Sequence, residues 1–186
     1  MVTITKALWV MNFKDIVLSS AMLLVTGCMP FDVNRTDSPL ASNVANRCFK
    51  LLNDSFVYRA CGFGEGGVQI DSISSNDECL PASILEFEKN PEMYDFCKIG
   101  KYFKTVINSG RCTIIVLGYA KAGSEFFINK VEDSFGGTDG RYWALYGQFS
   151  VEGLGNIEAE LPQRWFGPRS VYSEVYINRD YLNPCN

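Results

Sequence analysis

Few side chains in this sequence are equipped for catalysis. Histidine is absent from all 186 residues, which removes Ser-His-Asp and Cys-His nucleophilic sites and the usual zinc and iron ligand sets. A carboxylate pair of glycosidase type or a serine activated by lysine remains. Glu158 and Glu160 stand two apart and so share one face of a strand, a spacing that two solvated surface carboxylates also show. Gly62, Gly64 and Gly67 match the GxGxxG spacing of dinucleotide sites. That fingerprint needs a helix opening at its third glycine, whereas Val68-Gln69-Ile70-Asp71-Ser72 reads as a strand. Glu132, Asp133 and Asp139 lack the Asp-x-Asp-x-Asp-Gly order of a calcium loop. The chain reads as a binding protein without catalytic activity, resident metal or cofactor.

The reactive residue type present in number is cysteine, at Cys28, Cys48, Cys61, Cys79, Cys97, Cys112 and Cys185. The first of these closes an apolar stretch. Ile16 to Val25 is apolar or small and has the length of a signal h-region, too short for a membrane span of roughly 20 apolar residues. Lys6 and Lys14 place positive charge ahead of it, and translation can start at Met1 or Met11. The stretch ends in Val25-Thr26-Gly27-Cys28, which resembles a bacterial lipobox. The resemblance implies a signal peptide over residues 1–27, cleavage before Cys28, and a diacylglycerol plus an N-acyl chain such as palmitate on that cysteine. Several acyl chains on one residue suffice for stable anchoring. Met29, where an aspartate would retain the protein in the inner membrane, implies the periplasmic face of the outer membrane.

Lipidation consumes one of the seven cysteines and leaves an even number in an oxidising compartment, the arithmetic of a disulfide framework. Sequence alone does not choose among the pairings. The arrangement adopted joins Cys61 to Cys79, Cys97 to Cys112, and Cys48 to Cys185, the last tying the two ends of the domain. A metal cluster is disfavoured because the chain has no CxxC pair. Lys and Arg number 17 against 21 Asp and Glu, and without a basic run such a chain is poorly suited to nucleic acid.

The elements that must position any site follow from pattern. Residues 28–47 are polar, carry Pro30 and Pro39 and show no apolar period, so they read as the lipidated cysteine and a flexible tether. Residues 48–186 then form one periplasmic β-rich domain. Strands are expected over Ser55–Ala60, Val68–Ser72, Glu125–Val131, Tyr142–Val151, Asn156–Leu161 and Val171–Asn178. Lys101–Ile107 and Cys112–Tyr119 read as a hairpin whose second strand, apolar on both faces, belongs at the centre of the sheet. Leu80 to Cys97 is the one convincing helical segment, with Asn90 as a cap and Pro91 in the first turn. About eight short strands suggest a small antiparallel barrel or sandwich, mostly β and stapled by disulfides.

Two clusters look suited to a protein partner. Tyr142 and Tyr146 lie on one side of their strand, and Tyr172 and Tyr176 on one side of theirs. If those strands share a sheet, the four rings make an outward platform, and tyrosine is enriched at interfaces. Arg164 and Trp165, in the loop Gln163 to Arg169, have the composition of an interface anchor, although Trp165 also suits a core.

The lipobox, the polar tether, Cys48-Phe49-Lys50-Leu51, Cys79-Leu80-Pro81 and Arg141-Tyr142-Trp143 together resemble small immunity lipoproteins that pair with type VI secreted phospholipases. The resemblance implies a periplasmic protein partner, a secreted phospholipase held away from its membrane substrate. A structural or assembly lipoprotein of the envelope is the alternative expectation, and a hydrolase the third.

Overall fold

The computed structural model describes residues 31–60, 67–73, 79–95, 97, 114–136 and 140–185. Its strands are β1 (Phe31–Asn34), β2 (Cys48–Leu51), β3 (Ser55–Ala60), β4 (Val68–Ser72), β5 (Ile114–Ala120), β6 (Glu125–Phe135), β7 (Arg141–Val151), β8 (Gly155–Glu160), β9 (Phe166–Gly167), β10 (Tyr176–Ile177) and β11 (Leu182–Pro184). Nine of them form one sheet in the order β11-β2-β6-β7-β8-β4-β3-β5, with β1 on the remaining length of β6. The path does not close into a barrel. All its pairings are antiparallel except β4 with β8, which meet in parallel at the single pair Gln69 and Glu160. β9 and β10 form a separate two-stranded ribbon.

Alternation along β7 lays out the core. Trp143, Leu145, Gly147, Phe149 and Val151 are all buried, and they meet Phe126, Ile128 and Val131 of β6. Gly147 is needed for a steric reason: a Cβ there would stand 2.8 Å from Phe126 Cδ2 and 2.9 Å from Phe149 Cε2. Without it those two rings stack at 4.4 Å. The other side of this core is supplied by chain outside the sheet, with Ala41 and Val44 from the N-terminal segment and Trp165 and Val175 from the C-terminal one.

A second, smaller core lies on the opposite face of β3 and β5. Phe56 and Val116 pack there with Tyr119, Leu80, Phe87 and Tyr94, beneath α1 (Ile84–Lys89) and a 3-10 turn over Pro91–Tyr94. The helical segment is therefore two pieces. Ser83 caps α1, its Oγ accepting from Glu86 N at 3.2 Å, while Asn90 and Pro91 open the 3-10 turn without a side-chain cap bond.

Two expectations need correction. Residues 31–47 do not form a flexible tether: β1 pairs with β6 from Phe31 to Asn34, and Ala41 and Val44 are fully buried. A few apolar side chains at irregular spacing were enough to fold this segment onto the core. β5 pairs, among the described residues, with β3 and at Ile115 with Asp95, and the strand expected beside it in a hairpin lies outside them. Both its faces are apolar because α1 and the 3-10 turn cover the one turned away from the main core. Val171 to Asn178 is not a strand beyond Tyr176–Ile177. Its alternating valines, Val171 and Val175, enter the core from turns instead. Neither residues 61–66 nor 101–113 are among those described, so the Gly62–Gly64 loop and the first strand of the expected hairpin lie outside them. Val68, after Gly67, does open a strand.

Cys48 and Cys185 are bonded to each other, joining β2 to the residue after β11. Cys79 and Cys97 are also in disulfides. Cys28, Cys61 and Cys112 lie outside the described residues.

Candidate functional site

The four tyrosines do not make one platform. Tyr142 and Tyr146 share the outer face of β7, as alternation demands. Tyr146 is half-buried beneath Lys130, whose Nζ sits 3.9 Å from the ring centroid, and burial beside Glu160 and Glu132 pushes its phenol well above the ordinary range. Tyr172 stands on the other side of the sheet, its hydroxyl accepting from Arg141 Nη1 at 3.1 Å. Tyr176 belongs to the β9–β10 ribbon and its ring lies over Gly167. The platform required β7 and Val171–Asn178 to share a sheet, and only two residues of the latter are strand.

Trp165 is 1 % exposed and packs within the main core, so it cannot anchor a partner. Arg164 is turned to Asp71, with which it forms an ion pair, and to Ser72 O at 3.3 Å. It clamps the loop to the end of β4. Asp133 is held by Arg141 and Arg35, and Asp139 lies outside the described residues.

Two concave surfaces are lined by described residues. The first is a crevice of about 270 Å3 on the outer face, where β4 and β8 touch at one pair and splay apart. Tyr58, Gln69, Tyr142, Glu160, Gln163 and Arg169 are among the residues lining it. Burial drives the Glu160 carboxyl above the usual carboxylate range, with Asp32 and Glu132 adding to the effect and Gln69 opposing it. Glu158 lies further along the same face, solvated and bonded to Asn129 Nδ2 at 2.6 Å. The two carboxylates thus have different environments, one half-buried and one solvated.

The second surface is a groove of about 710 Å3 beside the Cys48–Cys185 bond. Its rim carries Asn43, Arg47, Tyr176 and Arg179. Tyr176 is 58 % exposed. The nearby carboxylates are engaged: Glu125 pairs with Lys50 at 3.1 Å, and Glu174 accepts from Asn43 Nδ2 at 2.6 Å. Neither Arg47 nor Arg179 has a carboxylate partner among the described residues. Cys48, Glu125 and Cys185 bring their ligand atoms within 4.8 Å of one another, but both sulfurs are in the disulfide and offer no thiolate to a metal.

No family model, no curated protein and no solved structure matches the chain. Any functional reading therefore rests on these surfaces.

Arg47 and Arg179 escaped the sequence reading. They sit in separate loops, and no periodicity relates them. The signal that could have found them was the Cys48–Cys185 pairing itself, since each arginine lies within a few residues of one of those cysteines.

Proposed function

We propose that the protein is a lipid-anchored, non-catalytic binding module of the periplasmic face of the outer membrane, and that its partner is a secreted lipase held in an immunity complex. The observation that supports this most is the groove. A net acidic chain presents there two arginines without carboxylate partners among the described residues and an exposed tyrosine, on a frame braced by a disulfide. Arginine and tyrosine dominate interface hot spots, and guanidinium groups recognise carboxylates through paired hydrogen bonds. A protein surface carrying aspartate or glutamate is the complementary partner. Rigid framing lowers the ordering cost of binding.

The reading is tested by photo-crosslinking from a reactive residue at position 176, in periplasm of cells making the full chain. It expects one captured protein with phospholipase activity that the purified domain suppresses. The double variant Arg47→Ala, Arg179→Ala should weaken that complex at least about tenfold. Undiminished binding by the double variant, or capture only of cell-wall and envelope-assembly components, would overturn it.

A further inference from the structure

The register of three strands builds a row at one end of the sheet. Phe31 of β1 lies opposite Phe135 of β6, which lies opposite Arg141 of β7. The two phenylalanine rings stack at 5.4 Å. Arg141 in turn carries Tyr172, whose ring centroid is 5.4 Å from the guanidinium carbon. Val33, two residues along β1, shares the face of Phe31 and is also exposed. Phe31 is 45 % exposed and Tyr172 75 %. Exposed aromatic rings beside a tyrosine and a valine have the composition of a membrane–water interface. There aromatic rings sit at headgroup level.

The covalent chain brings this row to a membrane. Cys28 is three residues before Phe31, so their Cα atoms are separated by no more than about 11 Å even in a fully extended chain. With β1 built into the sheet, nothing remains of a tether long enough to lift the domain away.

We infer that the row Phe31, Phe135, Arg141 and Tyr172 docks into the headgroup region of the phospholipid leaflet that holds the lipid on Cys28. The inference rests on lipidation at Cys28. It also sets the direction of the groove. β2 pairs with β6 at Glu125–Phe127, the opposite end of that strand from Phe135. Eight residues of strand span roughly 25 Å. The disulfide and its groove thus stand well above the bilayer and open to the periplasm, while the Phe31 end faces the lipid.

The test uses fluorescence depth quenching on the full lipidated protein, purified and reconstituted in phosphatidylethanolamine–phosphatidylglycerol vesicles with doxyl-labelled lipid. Trp143 and Trp165 are each 1 % exposed, so an added surface tryptophan reports locally. Two variants are compared, Phe31→Trp and Leu154→Trp. Leu154 is 47 % exposed and follows β7 at the end away from Phe31. The lipid label should quench the added Phe31→Trp signal at least about twofold, the behaviour of a ring at headgroup depth, and leave that of Leu154→Trp unchanged. Acylated protein that stays on the vesicles with equal quenching at both positions, or none at Phe31→Trp, overturns the docking edge and leaves lipidation standing. Intact mass showing no acyl chain on Cys28 overturns both. A Phe135→Trp variant gives a second reading should Phe31→Trp lower stability.

Discussion

Asp133 and Arg141 face each other across the β6–β7 hairpin, with Arg141 Nε donating to Asp133 Oδ1 at 2.9 Å and Nη2 to Oδ2. Arg35 approaches the same carboxylate from the segment after β1, at 3.8 Å. Asp133 is nearly buried while both arginines keep partial access to water. One carboxylate thus ties the first strand to the central hairpin, and the hydrogen bond to Asp133 raises the affinity of Arg141 for its proton despite some desolvation. Removing the carboxylate would leave Arg141 at the core's edge without its fork, and a half-removed pair costs more than its net worth intact. Asp133→Asn should lower the thermal midpoint clearly more than Arg35→Ala, which removes only the longer contact. Equal effects in a melting experiment would show that the fork is not the stronger tie.

Gly147→Ala should destabilise by about 1–3 kcal/mol, the ordinary cost of overpacking. The added methyl collides with the stacked pair Phe126 and Phe149, neither of which is free to swing aside. Urea unfolding should show a lower midpoint with an unchanged slope. An unchanged midpoint would mean that the stack yields.

Glu160 makes stability fall as pH rises. Burial raises its folded pKa above the unfolded value, so the native state holds the proton more tightly than the unfolded chain. Stability is then greatest below the unfolded value and declines as pH climbs toward the raised one. Glu160→Gln removes the titration. Its thermal midpoint relative to wild type should therefore be more favourable at pH 7 than at pH 4. A constant difference across that interval would contradict the buried carboxyl.

The Cys48–Cys185 bond closes a loop with a sequence separation of 137, and cross-links of such span stabilise by up to about 5 kcal/mol through the unfolded chain. The double variant Cys48→Ser, Cys185→Ser should melt at a substantially lower temperature. Because both cysteines line the groove, partner affinity should fall further than the change in folded fraction explains. Calorimetric binding well below the melting temperature separates the two effects.

Trp165→Ala and Tyr176→Ala should behave oppositely. The first opens a cavity in the main core and should cost about 3–5 kcal/mol. The second removes an exposed ring and should leave the melting temperature within a degree or two while weakening the partner complex. Reversal of that pattern would place the binding surface elsewhere.

The sequence by itself determined the local alternations. The inner face of β7, from Trp143 to Val151, was legible because side chains on a strand must alternate and one face was consistently apolar. β3 and β4 match the expected strands to the residue, and the pairing of the first and last domain cysteines, Cys48 and Cys185, agrees with the arrangement adopted. Only the tertiary structure decided what the irregular segments do. Residues 31–47 carry few apolar residues at spacings with no period, and in 163–182 the one alternation present, over Val171–Asn178, does not become a strand beyond Tyr176–Ile177. Both segments fold because Ala41, Val44, Trp165 and Val175 complete a core whose other wall is the sheet. For the same reason Val171 and Val175 imitate a strand while entering the core from turns. The groove and the Phe31–Phe135 row belong wholly to this second kind. Arg47 meets Arg179, and Phe31 meets Phe135, only through strand pairing and chain crossing between distant segments. Contacts of that range are written in the summed burial of the whole domain and in no single stretch of it.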